Sequence, residues 1–318
     1  MENFDVVIIG GGAAGLSAAL VLARARRTVA VVDAGSPRNA PAAHMQGFLS
    51  RDGMPPSRLL AVGREEVTGY GGCFIEGRVD AVAALGSLGF SVLLADGSRL
   101  TARRLLLATG LRDEIPDVPG LRERWGRDVL HCPYCHGYEV RDQPLAVLGG
   151  SPEAVAHALL VRQWSGDVAL FPHGQVVTRE QREQLDARGV AVIDGVVARV
   201  VVARDVLRGL QLEDGRIVPR AAVFVRPTFV PHAELLTTLG CAVDDNGWVK
   251  TDAFGRTSVP GAWVAGNVAN PRAQVVTAAG EGSAAAIAIN ADLVDEDVER
   301  AVREARGSSA GAVTDKGA

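Results

Sequence analysis

Nine residues near the middle of the chain carry the groups best suited to chemistry. Residues 131–139 read HCPYCHGYE, so two cysteines have two residues between them, with a histidine directly before the first and directly after the second. The C-x-x-C-H string fits covalent haem attachment, two cysteines and two histidines could ligate zinc, and the cysteine pair alone could form a redox disulfide. The rest of the sequence has to distinguish these three chemistries.

Composition describes an ordinary globular protein and excludes several function classes. The length of 318 residues favours two domains, and 47% of the residues are hydrophobic while 22% are charged. A net charge of -4 with 33 scattered basic residues provides no surface for nucleic acid. The amino terminus, MENFDVVIIGGG, has acidic residues where a secretory signal would be basic, and no stretch approaches the roughly 18 apolar residues of a membrane span. We therefore expect a cytoplasmic protein.

The haem and zinc interpretations each lack a feature that they require. Covalent haem attachment normally belongs to exported proteins, and the chain has only three methionines as further haem ligands. His131 and Cys132 are chain neighbours that point in different directions, and no second C-x-x-C or H-x-x-x-H motif follows, so we predict no metal site. Cys73 and Cys241 stand alone and are typical of small buried hydrophobes. Haem and zinc remain alternatives to the redox disulfide at this point.

Residues 5–33 predict a complete βαβ unit that binds a dinucleotide. An apolar strand runs into Gly10, Gly12 and Gly15, which fit G-x-G-x-x-G, and an Ala/Leu-rich helix and a second strand follow. In such a unit the pyrophosphate lies on the helix amino terminus. Asp33 ends the second strand, where its carboxylate can accept hydrogen bonds from both hydroxyls of an adenosine ribose.

A second βαβ unit is predicted to begin at Pro144, but its nucleotide motif is incomplete. Ser151 occupies the second glycine position and Ala154 the third. The closing strand ends at Phe171 and is followed by proline and His173, with neither the acid expected for NAD nor an arginine cluster for a 2′-phosphate. We interpret His173 as a solvated loop residue. These departures make NAD(P)H binding doubtful.

The order of the segments predicts an α/β fold with two Rossmann-like three-layer dinucleotide-binding domains, the second inserted into the first. A Pro-rich stretch after residue 110 resembles an interdomain linker, and turn residues near 244 begin the return of the chain. The predicted first domain comprises residues 1–117 and 244–306, the second comprises residues 118–243 and carries the C-x-x-C motif, and residues 307–318 form a disordered tail.

These pieces in this order resemble the low-molecular-weight thioredoxin reductase family of FAD-dependent pyridine nucleotide-disulfide oxidoreductases, over nearly the whole chain. The first glycine motif with its aspartate resembles the family's FAD adenylate site, ATG at 108–110 its second FAD motif, and AGN at 265–267 its third. The family usually has an aspartate where this sequence has Asn267. The resemblance implies FAD as the cofactor. The predicted FAD contacts are Gly10, Gly12, Gly15, Asp33, Arg38, Asn39, Thr109, Gly110, Gly266, Asn267, Gln274 and Val275.

The resemblance also assigns the opening motif, because the family places its redox pair just ahead of the second βαβ unit. It implies that Cys132 exchanges with substrate while Cys135 exchanges electrons with the flavin. His136 takes the position of an aspartate proposed as the family's acid/base catalyst, and a histidine that titrates near neutrality can do that work. Pro133 is suited to start a helix, and a helix amino terminus beside Cys132 would favour its thiolate.

The direction of electron flow leaves more than one hypothesis. CPYCHGYE together with the incomplete second motif resembles the branch that includes the dithiol oxidases of gliotoxin and holomycin biosynthesis. Our leading hypothesis is therefore an enzyme that oxidises a small-molecule dithiol to a disulfide, with oxygen as electron acceptor. The alternatives are an NAD(P)H- or ferredoxin-dependent reductase of a thioredoxin-like protein, and a non-catalytic FAD-binding redox sensor. A homodimer is implied by the resemblance.

Overall fold

The computed structural model describes residues 2–86, 89–151 and 153–311. These described residues fall into two compact units. The first contains the chain up to Pro37, Leu59–Leu111, and the chain from Pro231 onward, while the second contains Arg38–Arg58 and Arg112–Val230. The predicted α/β class, with one Rossmann-type unit inserted into another, is confirmed.

The first unit is built on a mainly parallel sheet. Runs such as VVII and VAVV are buried along their whole length, as expected for strands covered on both faces. The strand order is β3-β2-β1-β6-β5-β4, and β17 pairs with the carboxyl-terminal part of β6. The elements are β1 (Glu2–Ile9), α1 (Ala13–Arg24), β2 (Val29–Asp33), α2 (Pro56–Gly69), β3 (Cys73–Glu76), β4 (Val79–Ala84), β5 (Phe90–Leu94), β6 (Arg99–Leu107), α6 (Glu234–Thr238), β17 (Ala262–Val264) and α7 (Val275–Gly311).

The second unit repeats this plan with a parallel sheet of order β11-β10-β9-β15-β8 and an antiparallel meander of β12, β13 and β14. The predicted second βαβ unit is present as β9, α4 and β10. The elements are β8 (Val129–Leu130), α3 (Pro133–His136), β9 (Leu145–Leu148), α4 (Ala154–Val161), β10 (Val168–Phe171), α5 (Arg179–Ala187), β11 (Val190–Val192), β12 (Val197–Ala203), β13 (Val206–Leu212), β14 (Ile217–Pro219) and β15 (Ala222–Phe224).

The borders between the units differ from those predicted. They lie at Leu111/Arg112 and Val230/Pro231, within the paired strands β7 (Leu111–Glu114) and β16 (Thr228–Pro231), rather than at 117/118 and 243/244. The second border moves because Ala233, Leu236 and Cys241 are buried in the core of the first unit. A stretch of polar and turn residues does not reveal this packing in the sequence.

Two further segments bear on the predicted boundaries. Residues 38–58, predicted within the first domain, belong to the second unit, where Arg38 pairs with Asp113. Helix α7 continues to Gly311, into the predicted tail, and residues 312–318 lie outside the described residues. None of the helices described is both long enough and apolar enough to span a membrane.

Candidate active site

The first glycine turn joins β1 to α1 and leaves space where a ligand would approach. Gly10 has a φ of +106°, and a Cβ on it would overlap the Ala108 carbonyl group. A Cβ on Gly15 would overlap the Gly10 carbonyl oxygen, so both positions require glycine. A Cβ on Gly12, in contrast, would have no neighbour within 4 Å. The turn is thus closed on its protein side and open beside Gly12, at the amino terminus of α1.

Asp33 stands at the end of β2 beside this turn and has a cationic partner. Arg64 of α2 donates to its Oδ2, and the Arg64 Nε is buried without a hydrogen-bond partner. A Cβ on Gly11 would lie 2.8 Å from the Asp33 carboxylate, so the carboxylate lies close against the glycine turn. This places an acceptor at the position where the sequence predicts an adenosine ribose.

A second helix amino terminus converges on the same region. Gly266 follows β17, and a Cβ on it would lie 3.0 Å from that of Ala14 in α1 and 3.6 Å from that of Ala278 in α7. A Cβ on Gly282 would overlap the Ala14 carbonyl, so glycine lets α1 and α7 pack closely. Neither helix has an acidic residue in its first turn. Their aligned amide groups therefore give this region a positive field.

The third predicted FAD segment is fixed by hydrogen bonds to α7. Glu281 accepts from the Gly266 amide at 2.9 Å and from the Asn270 side chain at 2.7 Å. Asn267 Nδ2 donates to the carbonyl oxygens of Asn270 and Ala273, at 2.9 and 3.0 Å. The amide that replaces the family's aspartate thus shapes its own loop. Gln274 and Val275 lie directly at the start of α7.

Thr109 and Gly110 lie where the chain leaves the first unit, and both contact His232, where it returns. The Thr109 hydroxyl donates to the His232 carbonyl oxygen at 2.8 Å, and the Gly110 carbonyl oxygen accepts from the His232 amide at 3.0 Å. Gly110 adopts a φ of +71°. These bonds hold the predicted second FAD motif in place at the end of β6.

The first unit fits a bound FAD. The space beside Gly12, the acid at the end of β2 and the buried Arg64 Nε without a partner are what a dinucleotide with a ribose and a pyrophosphate requires. The predicted contacts Arg38 and Asn39 belong to the second unit instead. There Arg38 forms a two-pronged bond to Asp113, with nitrogen to oxygen distances of 2.6 and 2.8 Å.

The predicted redox pair forms a disulfide at the start of α3 in the second unit. Cys132 and Cys135 are bonded, with their Cα atoms 5.2 Å apart, and both are half-buried. Cys132 is the N-cap, in extended conformation, and Pro133 is the first helical residue, as predicted. The Cys132 carbonyl oxygen accepts from the amides of Cys135 and His136, both at 3.1 Å. A short helical turn therefore sets the spacing of the two sulfurs.

Aromatic side chains surround this turn. Tyr134, between the cysteines, is 64% exposed and packs edge-to-face on Trp164, with ring centroids 5.4 Å apart. A Cβ on Gly137 would lie 2.8 Å from the Trp164 ring, so glycine is needed for this packing. Tyr138 is exposed, and the Arg141 guanidinium lies 3.9 Å above its ring. The redox turn is thus supported by Trp164 and flanked by exposed tyrosines.

His136 and two other histidines of this unit are held neutral by burial. Desolvation lowers the pKa of His136, and the Glu139 carboxylate opposes this in part. Burial, followed by the charge of Arg38, lowers the pKa of His131 to about 4. Burial also lowers the pKa of His157 to about 4. A neutral imidazole next to Cys135 is able to accept a proton.

The second glycine turn, after β9, is as tight as the first at its first glycine and differs from it at the second glycine position. A Cβ on Gly149 would overlap the Pro172 carbonyl oxygen, and Ser151 stands where a second glycine would let a pyrophosphate approach. His173, which we predicted to be solvated, is half-buried, and its Nδ1 accepts from the Val197 amide at 3.1 Å. That interpretation was wrong: the bond ties the loop after β10 to β12.

The charged side chains that line the crevice beside this turn have partners of opposite charge. It lies where the strand order reverses between β9 and β15, the usual ligand position in such sheets, and has a volume of about 590 Å³. Glu114, Glu153 and Arg226 line it, and the Arg226 Nε is 3.8 Å from the Glu153 carboxylate. Glu114 pairs with Arg112 at 3.0 Å, and a phosphate group would meet in Arg226 a cation that already has an acidic partner.

Comparison with known proteins decides the family. Residues 4–282 match the family described as pyridine nucleotide-disulphide oxidoreductase. The chain belongs to this family. It is 33% identical over 316 residues to the thioredoxin reductase sirT of Leptosphaeria maculans, covering 93% of this chain and 96% of that one. It is 28% identical to a thioredoxin reductase of Listeria monocytogenes, covering 89% and 91%.

Solved structures give the same assignment. The crystal structure of HlmI matches with a TM-score of 0.94 and 61% identity, covering 96% of this chain and 98% of that chain. A thioredoxin reductase structure from Bacillus anthracis matches with a TM-score of 0.88 and 33% identity, covering 92% and 99%. The resemblance to thioredoxin reductases is thereby confirmed, and the disulfide excludes a haem or zinc role for Cys132 and Cys135 in this state.

Several residues of the site were not found from the sequence. Arg64, His232 and Glu281 act on predicted FAD segments from positions 31, 123 and 15 residues away in the chain. Of these three residues, only Glu281 could have been found from the sequence, because it is an acid in the first two turns of a helix that follows a glycine motif. Trp164 has none, because its partner Tyr134 is 30 residues away.

Proposed function

We propose that the protein is an FAD-dependent oxidase of small-molecule dithiols, in which Cys132 and Cys135 form the redox pair. The observation that carries the proposal is the contrast between the two glycine turns, together with the disulfide in the second unit. The first turn is open beside Gly12, whereas the second has Ser151 in the corresponding position and opens on a crevice in which Arg226 already pairs with Glu153. The protein therefore retains the cysteine pair needed for thiol exchange, whereas its second glycine turn disfavours NAD(P)H, the usual source of reducing equivalents.

The chain's own residues supply the thiol exchange. A substrate thiolate attacks the Cys132 sulfur, the Cys132–Cys135 bond breaks, and Cys135 leaves as a thiolate. The second substrate thiol then attacks the mixed disulfide, so that the cyclic disulfide product forms and Cys132 leaves with the electron pair. The two substrate protons are released in these steps. We assign the acceptance of one of them to His136, which directly follows Cys135 in the chain and whose pKa is lowered by burial.

FAD, when bound, would take the two electrons of the reduced cysteine pair and deliver them with two protons to oxygen, giving hydrogen peroxide. The groups that would hold it are the first glycine turn with Asp33, the Thr109 and Gly110 segment, and the loop of Gly266 and Asn267 before α7. The amino terminus of α7 favours negative charge at this position, which suits a reduced, anionic ring system.

A disulfide reductase is the second candidate, because relatives such as sirT and the Listeria protein are named thioredoxin reductases. It would require NAD(P)H or another electron donor and a protein disulfide as substrate. A non-catalytic FAD-binding redox sensor is the third candidate. We rank it below the two enzymes because the chain retains the cysteine pair that catalytic turnover requires. The resemblance further supports a homodimer that works in the cytoplasm.

Oxygen consumption tests the proposal. We expect the purified FAD-loaded enzyme to consume oxygen with a small dithiol such as dithiothreitol in the absence of NAD(P)H, with one hydrogen peroxide formed per disulfide. Cys135→Ser should lower this rate by at least about a thousandfold, because the second sulfur that must leave is missing. Cys73→Ser is the matched control and should keep the rate, since Cys73 is a free cysteine of β3. Oxygen consumption that requires NADPH, or that survives Cys135→Ser, would contradict the proposal.

A further inference from the structure

The second glycine turn already has a side chain bound to it. Gln175 lies against Ser151, and the amide orientation that satisfies both partners places its nitrogen 2.8 Å from the Ser151 carbonyl oxygen. In that orientation its oxygen is 3.1 Å from the Ser151 backbone nitrogen. The Gln175 amide therefore donates to one backbone group of Ser151 and accepts from the other.

The loop after β10 has the shape needed to bring Gln175 back to this turn. His173 and Gly174 both adopt left-handed conformations, with φ of +55° and +85°. The backbone N–H of Gln175 then donates to the Pro172 carbonyl oxygen at 3.1 Å, which closes a tight turn. Such a conformation is costly for a residue other than glycine. The bond from the Val197 amide to the His173 ring holds that residue in place.

The surroundings of this contact do not favour an anion. A cavity of about 310 Å³ lies beside Gln175, and among the described residues that line it there is no lysine or arginine. Glu153 follows two residues after Ser151, just before α4, and adds a negative charge at the helix start.

We propose that Gln175 excludes pyridine dinucleotides from the second unit by occupying the Ser151 N–H that a pyrophosphate would use. A dinucleotide turn works because its backbone N–H groups face the ligand and are not bonded within the protein. In this chain that N–H has a permanent neutral partner, and no ligand is needed to satisfy it. This inference rests on the proposed function and deepens it. A dithiol oxidase would retain a Rossmann-type unit in which Gln175 of the same chain fills the nucleotide-binding turn.

Two substitutions separate occupation of the turn from general loosening. Gln175→Ala removes the amide and exposes the Ser151 N–H. Gln175→Glu keeps the length of the side chain, and its carboxylate can still accept from that N–H while repelling an incoming phosphate. Gln163→Ala is the matched control, because Gln163 is an exposed glutamine directly beyond α4 in the same unit.

The experiment is a calorimetric titration of ADP-ribose, and separately of NADPH, into FAD-loaded enzyme, so that the first glycine turn is filled. We expect no binding to the natural chain, Gln175→Glu or Gln163→Ala at millimolar ligand. Gln175→Ala should bind ADP-ribose at least tenfold more tightly than the natural chain. Binding of either ligand to the natural chain would overturn the inference, as would a Gln175→Ala protein that binds no better than the Gln163→Ala control.

Folding and function are checked separately. Thermal unfolding of each variant shows whether it is folded, and if Gln175→Ala is not, Gln175→Asn serves in its place because its shorter side chain cannot span both backbone groups of Ser151. Dithiol-dependent oxygen consumption is measured on the same samples. An enzyme that oxidises dithiols but binds NADPH refutes only this inference, whereas an enzyme that does neither refutes only the proposed function.

Discussion

At the scale of single residues, His136 is the group whose chemistry depends most directly on its surroundings. Burial lowers its pKa below the ordinary value of 6.5, so the imidazole is neutral over a wider pH range than that of a solvated histidine. A base that accepts substrate protons must be neutral. Beyond the gradual loss of substrate thiolate on acidification, activity is therefore expected to fall further when the pH drops through this lowered pKa.

The corresponding prediction concerns the acid limb of the pH profile. For the natural enzyme, kcat/KM for a dithiol should fall on acidification with a midpoint below pH 6.5. His136→Asn should lower kcat/KM at pH 7.5 by about a hundredfold, within the range of general-base contributions, and should remove that limb. An unchanged limb in the variant would show that another group accepts the proton.

His157 predicts a second, separate effect of pH, on stability. Its side chain is 6% exposed and its pKa is lowered from 6.5 to about 4, so the unfolded chain binds the proton more tightly than the folded chain. The stabilisation is complete above pH 6.5 and is lost as the pH falls from 6.5 toward 4. Between pH 7 and pH 5 the loss amounts to about 2 kcal/mol of unfolding free energy.

Urea unfolding at pH 7 and pH 5 tests this contribution. His157→Gln keeps a polar side chain at this position but cannot titrate. The difference in unfolding free energy between the two pH values should therefore shrink by about 2 kcal/mol in the variant. His44, which is exposed, provides the control, because His44→Gln should leave the difference unchanged. Equal pH dependence in all three proteins would contradict a neutral, buried His157.

At the scale of elements, two glycines of the first turn have different roles: Gly15 is required for folding, and Gly12 for binding of the cofactor. A Cβ on Gly15 would overlap the Gly10 carbonyl, whereas a Cβ on Gly12 would point into open space. Gly15→Ala should therefore disrupt the packing of α1 on β1 and leave little folded protein. Gly12→Ala should leave the fold intact but occupy space that the FAD pyrophosphate needs.

The prediction for Gly12→Ala is a protein that retains its unfolding temperature without cofactor and binds FAD at least about tenfold more weakly, equivalent to ~1.4 kcal/mol. FAD titration into cofactor-free protein measures the affinity. Gly166→Ala is the control, because a Cβ there also has no neighbour within 4 Å and lies in the second unit. If both variants bind FAD equally well, the open face of the first turn is not the cofactor site.

The elements themselves were largely predictable, because local patterns define them. The strand, glycine turn and helix around Gly12, and the Pro133 start of α3, follow from residues close in the chain. The contacts that position the site were less accessible. Glu281 with Gly266, and Gln175 with Ser151, join residues 15 and 24 positions apart through side-chain geometry, which no periodicity encodes.

At the scale of the whole molecule, the inserted arrangement of two Rossmann-type units could be inferred from the order of the motifs. The assignment of residues 38–58 to the second unit could not, because it depends on contacts such as those of Arg38 with Asp113 and of Pro41 with Gly126. Likewise, residues 231–243 join the first unit through a few buried apolar side chains. Both cases involve long-range packing with ordinary local sequence.

The two units together support the central claim, which is that a dithiol, and not NAD(P)H, reduces the enzyme. Its most direct test is the flavin absorbance of the FAD-loaded enzyme under anaerobic conditions, recorded while dithiothreitol, NADPH and NADH are added to separate samples. We predict rapid bleaching by the dithiol alone, reversed when air is admitted, and no bleaching by either nucleotide on the same time scale. Rapid bleaching by NADPH or NADH, with little by the dithiol, would contradict the account and identify a nucleotide-dependent disulfide reductase.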